Sequence, residues 1–101
     1  MIKVEKNNLK LNNMENLTII KFGAPWCGPC RMVEPILEGL EEKYSEIDFF
    51  DINVDENTEL AKDFGIRSIP AIYFIKGNDV LFIHNGAEDS SFFESKINQF
   101  K

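Results

Sequence analysis

The chain has two cysteines, Cys27 and Cys30, and they stand close together in Trp26-Cys27-Gly28-Pro29-Cys30. They follow the apolar run Thr18-Ile19-Ile20-Lys21-Phe22 and precede a helix-like pattern. In a strand-turn-helix unit the first cysteine falls at the helix N-terminus, where free N–H groups and the positive end of the macrodipole favour a thiolate. The second lies about one turn further in, near enough to close a disulfide and partly shielded from solvent. Cys27 therefore reads as the attacking thiol, Cys30 as the resolving thiol, and the chemistry as dithiol–disulfide exchange. Neither Gly28 nor Pro29 brings a positive charge, so the thiolate depends on the helix terminus alone, which favours a reducing pair. Trp26, beside the nucleophile, reads as part of a docking surface rather than as a core aromatic.

Other uses of the cysteines are weaker. A structural zinc site needs four ligands, and two cysteines with one distant histidine fall short. Inert core thiols do not suit a segment whose tryptophan, glycine and proline describe a turn. His84, with no motif around it, reads as a surface or edge residue, and Glu38, Glu41 and Glu42 as a solvated helix face.

The elements that must position the cysteines follow from periodicity. Thr18 to Gly23 is apolar on both faces, as expected of a central strand covered on each side. From Cys27 to about Tyr44, Val33, Leu37, Leu40 and Tyr44 recur at helical spacing, with Pro35 inside the helix removing one backbone donor. Ile47 to Val54 reads as a second internal strand and Thr58 to Phe64 as a short helix stopped by Gly65. That order implies a right-handed parallel crossover. Ala71 to Lys76 and Val80 to His84 form a hairpin across Gly77-Asn78-Asp79. A last helix is capped by Asp89 or Ser91, with Ser91 and Glu94 at capping-box spacing and Phe93, Ile97 and Phe100 on one face. Ile2 to Glu5 is expected to be a short edge strand and Leu9 to Met14 a short helix or turn. The fold class is α/β, a mixed sheet of four or five strands with helices on both faces.

Length and composition bound the function. One hundred and one residues, 44% of them hydrophobic, make one globular domain spanning 1–101. A formal charge of -6, from 11 basic and 17 acidic residues, disfavours nucleic acid and anionic membranes as partners. The N-terminal residues carry no apolar signal segment and no run is long enough to span a bilayer, so the chain reads as cytoplasmic, where standing structural disulfides are rare and a closely spaced cysteine pair is more often catalytic or metal-binding. It is expected to work as a monomer.

Phe22-Gly23-Ala24-Pro25-Trp26-Cys27-Gly28-Pro29-Cys30-Arg31-Met32, with Pro35 beyond it, resembles the active-site segment of the thioredoxin family. Arg67-Ser68-Ile69-Pro70-Ala71 resembles that family's cis-proline loop, and Asn85-Gly86-Ala87 its last substrate-contacting loop. The resemblance implies the thioredoxin fold, a cis Ile69–Pro70 bond that sets the Ile69 backbone opposite the disulfide, and substrate contacts from Trp26, Gly28, Pro29, Ile69, Pro70, Gly86 and Ala87. It also implies reduction of disulfide-containing protein substrates, re-reduction by a thioredoxin reductase, no bound cofactor and no metal. The Gly-Pro pair marks the family's reductants, whose potential lies near about -270 mV. Two readings compete: a binding module on the same surface with incidental redox, and an oxidase or isomerase with a much less negative potential.

The chain departs from the family at two informative places. The usual buried aspartate is Lys21 and the usual lysine on the neighbouring strand is Asp51, as if one ion pair had exchanged its ends. Opposite charges at facing positions make burial tolerable; the alternative is that Lys21 snorkels to solvent and Asp51 is a strand-end carboxylate. In the paired reading both are candidate catalytic residues, with Asp51 helping to deprotonate Cys30, and Asp51→Asn slows reduction at neutral pH more than it weakens substrate binding. Gly23 replaces a tryptophan common in the family, leaving the loop either less buttressed or more open.

Overall fold

The computed structural model describes residues 1–11 and 14–101. Among the described residues the elements are β1 (Ile2–Lys3), β2 (Leu17–Gly23), α1 (Gly28–Lys43), β3 (Asp48–Asn53), α2 (Thr58–Asp63), β4 (Ala71–Lys76), β5 (Asp79–Asn85) and α3 (Ser90–Phe100). The sheet runs β1-β3-β2-β4-β5. β3 is parallel to β1 and β2, while β4 is antiparallel to β2 and β5. β2 lies in the middle because its residues are buried on both faces, and a strand wet on one side would not tolerate so apolar a sequence.

Alternation along the strands splits the core in two. Leu17 and Ile19 of β2, Phe49 of β3 and Ile72 and Phe74 of β4 pack under Val33, Leu37 and Leu40 of α1 and Phe93 and Ile97 of α3. Ile20, Phe22, Phe50, Ile52, Tyr73 and Ile75 face the other way, against Leu60 of α2 and Phe64 at its C-terminal end. This period of two also sets Lys21 and Asp51 on the α1 face, since each follows by two residues a side chain that packs there.

Some boundaries differ from the sequence expectation. β5 begins at Asp79, so the hairpin loop is only Gly77-Asn78, with Gly77 at φ +63°, a conformation that glycine adopts without a β-carbon penalty. Phe74 pairs with Phe82 but Ile75 with Val80, which leaves Leu81 as an extra residue in a β-bulge. The expected element from Leu9 to Met14 does not form over Leu9–Leu11, which lack regular structure, and Asn12 and Asn13 fall outside the described residues. Leu9 and Leu11 instead pack on the α2-side core.

The missing local signal in the N-terminal stretch is tertiary. Asn7 Oδ1 accepts the N–H groups of Glu59 and Leu60 at 3.0 and 3.1 Å, so the first turn of α2 is capped from fifty residues away in sequence. Buried Asn57 donates to the Val4 and Asn53 carbonyls at 3.1 and 3.0 Å and accepts from the Asn7 N–H at 2.8 Å. Asn57→Ala strands those groups, and an unmet buried polar group costs about 1–3 kcal/mol. Urea denaturation of Asn57→Ala is expected to show a loss in that range with an unchanged m-value.

The capping box between Ser91 and Glu94 does not form. Asp89 caps α3 by accepting the Phe92 N–H at 2.9 Å and the Ser91 hydroxyl at 2.8 Å. Glu94 reaches α1 instead, where it accepts the Tyr44 hydroxyl at 2.6 Å and pairs with Lys43. The Phe92 N–H, then Ser91, hold the Asp89 carboxyl below its ordinary 3.8, and the hydrogen bonds from Lys43, then Tyr44, hold Glu94 below 4.5. A lowered carboxyl stabilises the fold above its unfolded value and loses that contribution as pH falls through the folded one. The unfolding midpoint is therefore expected to hold above pH 4.5 and to drop in more acid solution, with Glu94→Gln flattening that acid limb.

Candidate active site

β2 ends at Gly23 and β3 at Asn53, and because the two strands are parallel their following loops emerge at one edge of the sheet. The first loop turns through Ala24, Pro25 and Trp26, with the Cys27 N–H donating to the Ala24 carbonyl at 3.2 Å. Cys27 is the N-cap of α1, with extended backbone angles of -88° and 113°, and its Sγ accepts the Cys30 N–H at 3.2 Å. Sulfur thus occupies the place where a capping oxygen usually sits, and one orphan donor of the helix, the Cys30 N–H, points at it. Pro29 falls in the first positions of the helix, where a missing N–H is no loss.

Cys27 and Cys30 are joined as a disulfide with Cα atoms 5.3 Å apart. Cys27 is 6% exposed and Cys30 1%. Ala24, Val54 and Ile69 pack around the two sulfurs. The Ile69–Pro70 peptide bond is cis, as the resemblance implied. Gly86 donates its N–H to the Pro70 carbonyl at 2.8 Å from a backbone at φ +100°, a conformation that favours glycine. The cysteine turn, the cis-proline loop and the start of the Gly86-Ala87 segment are thereby brought together. Trp26 is 67% exposed beside them, and its indole N–H donates to Asp55 Oδ2 at 2.7 Å. Sequence reading missed Asp55. Its signal was position, two residues after β3 on the edge where the β2 loop also emerges.

Beneath the disulfide the exchanged charges meet. Lys21 and Asp51 are register partners in the parallel pair, with Lys21 Nζ 3.4 Å from Asp51 Oδ1 and side chains 6% and 15% exposed. Lys21 does not snorkel away. A β-carbon placed on Gly23 would lie 3.1 Å from both Cys30 Sγ and Lys21 Cε, so a side chain there would press on both. With glycine, Gly23, Cys30, Lys21 and Asp51 all line a cleft of about 310 Å³.

His84 is half-buried among rings, with its centroid 4.6 Å from that of Phe92. Glu38 and Glu42 are exposed. Among the described residues no three His, Cys, Asp or Glu side chains gather into a metal-binding group, and no helix is long and apolar enough to cross a membrane.

Comparison with known proteins agrees with this site. A sequence model of the thioredoxin family matches residues 1–99. Thioredoxin of Porphyra purpurea is 41% identical over 83 residues, covering 81% of this chain and 78% of that protein. Thioredoxin of Bacillus subtilis strain 168 is 30% identical over 100 residues, covering 98% and 96%. The X-ray structure of Fasciola hepatica thioredoxin is similar with a TM-score of 0.83 at 31% identity, over 88% of this chain and 85% of that one. A mixed five-stranded sheet carrying a cysteine pair at the mouth of a helix defines a thiol–disulfide oxidoreductase of the thioredoxin fold. The chain belongs to the thioredoxin family, and thiol–disulfide exchange through its cysteine pair is its activity.

Proposed function

We propose that this chain works as a reductant of protein disulfides, with Cys27 as nucleophile and Cys30 as resolving thiol. The observation that carries the assignment is the position of Cys27 at the N-cap of α1, its sulfur accepting the Cys30 N–H and more exposed than Cys30. Helix-terminal donors stabilise the Cys27 thiolate. In the reduced protein that thiolate attacks a substrate disulfide, forming a bond to one substrate sulfur while the other leaves with the electron pair and takes a proton from water. Cys30 then attacks Cys27 Sγ, closing the 27–30 disulfide and releasing the second substrate thiolate. Two electrons pass from the cysteine pair to the substrate.

Direction follows from the local charges. Gly28 and Pro29 add no cation to the loop, which leaves the dithiol form less stabilised than in a strong oxidant. The protein then needs an outside electron source, for which a thioredoxin reductase is the class the family supplies, and a reducing compartment such as the cytoplasm. Both cysteines, Ile69, Pro70 and Gly86 come from one chain, consistent with action as a monomer. Exposed Trp26 and Pro29, with Gly28, the Ile69 backbone, Pro70, Gly86 and Ala87, form the surface on which an extended substrate segment docks.

Reduction of insulin by dithiothreitol, with and without catalytic amounts of the protein, tests the reading. Marked acceleration is expected. Absence of acceleration would favour a binding module that uses the same surface.

A further inference from the structure

We infer that the Lys21 ammonium sets the ionisation of Cys30, so that the resolving step starts from a thiolate held by a buried cation, and that Asp51 acts on the sulfur only by positioning Lys21. The inference rests on the exchange reading above and deepens it. It also replaces the expectation that Asp51 takes the Cys30 proton.

Three observations carry it. Lys21 Cε and Cys30 Sγ each lie 3.1 Å from the point a Gly23 β-carbon would occupy, so they are no more than twice that distance apart, with the ammonium one bond beyond Cε. No side chain at position 23 separates them. The cation is also drier than its partner, with Lys21 6% exposed against 15% for Asp51, so water screens the carboxylate more than the ammonium. Lastly, the observed state is the disulfide, in which no thiolate competes for the ammonium, and there Lys21 turns to Asp51 at 3.4 Å.

The remaining charges facing Cys30 through the cleft act more weakly. Lys3 of β1, Glu5 just after it, Arg31 at the start of α1 and Glu56 before α2 are exposed, and Glu34 of α1 is half-buried. Water and salt screen them and their signs oppose. Cys27 carries no charge once it is bonded to substrate. A thiol as buried as Cys30, at 1% exposure, would otherwise resist ionisation. With Lys21 beside it, Cys30 has already lost its proton to solvent before it attacks. The Cys27–Cys30 bond forms, the Cys27–substrate bond breaks, and the leaving substrate thiolate takes its proton from water, while Lys21 stays protonated and returns to Asp51.

The test is titration of the lone Cys30 thiol in a Cys27→Ser background, followed by thiolate absorbance in the ultraviolet. Lys21→Met is expected to raise the Cys30 midpoint by about one pH unit or more, Lys21→Arg to leave it near the parent value, and Asp51→Asn to hold or lower it. The Lys21→Met/Asp51→Asn double variant is decisive because it leaves no unpaired buried charge, and replacing a buried pair by neutral groups is usually tolerated. A raised midpoint in the double variant supports the inference. An unchanged or lowered midpoint overturns it, because the carboxylate would then be the end of the pair that Cys30 senses. Insulin reduction by the unmodified protein is measured separately, so failure of the exchange reading remains distinguishable from failure of this one.

Discussion

Cys30→Ala turns the protein into a covalent trap. Incubated with a disulfide-containing protein, the reduced variant accumulates a mixed disulfide through Cys27, seen as a dithiothreitol-sensitive adduct by mass spectrometry, and catalytic turnover stops. The variant keeps the N-cap sulfur and its access to solvent but loses the second sulfur, which in the native protein lies one helical turn away with Cα atoms 5.3 Å apart. Cys27→Ser has the opposite outcome. It forms no adduct and its insulin reduction falls to the uncatalysed background, because the buried Cys30, 1% exposed, cannot reach a macromolecular disulfide. The contrast assigns the roles without relying on rates. Adducts of equal yield from both single variants would mean that the two sulfurs are interchangeable and that the helix terminus does not choose between them.

The largest loss of stability is expected from Phe74→Ala. Phe74 is fully buried in β4, which hydrogen-bonds to strands on both sides, and its ring centroid lies 5.6 Å from that of Phe82 and 6.3 Å from that of Phe100. Truncation removes a ring that joins β4 to β5 and α3, and neighbours on a rigid sheet close such a cavity poorly. A buried phenylalanine changed to alanine costs about 3–5 kcal/mol, against a total of about 5–15 kcal/mol for a domain. A fall in melting temperature of roughly 15 °C or more follows. Ile83→Ala on the exposed side of β5, where Ile83 is 45% exposed, is expected to stay within about 0.5 kcal/mol.

How much of this was legible in the sequence depended on whether the signal was local. β2 announced itself by being apolar on both faces, α1 by Val33, Leu37 and Leu40 at helical spacing, and the hairpin by Gly77-Asn78-Asp79. Each of these patterns is set by an element's own burial. The cysteine site was legible for the same reason, since strand, turn and helix follow one another directly in the chain. Contacts between distant elements were not. Ser91 and Glu94 have capping-box spacing, yet Tyr44 and Lys43 on α1 offer Glu94 a better pair of donors. Nothing near the N-terminus in sequence reveals that Asn7 caps α2 and meets Asn57. The exchanged charges of Lys21 and Asp51 were visible as a departure from the family. That Lys21 Cε and Cys30 Sγ both border the place of a Gly23 β-carbon required the strand register and the close packing around Gly23.

The most direct measurement is the reduction potential of the Cys27–Cys30 pair, obtained by equilibrating the protein in dithiothreitol buffers of graded ratio and counting free thiols. A reductant whose Cys27 thiolate is supported by a helix terminus, with no cation between the two cysteines, should equilibrate near about -270 mV. A value near about -120 to -180 mV would mark an oxidant or isomerase and contradict the account.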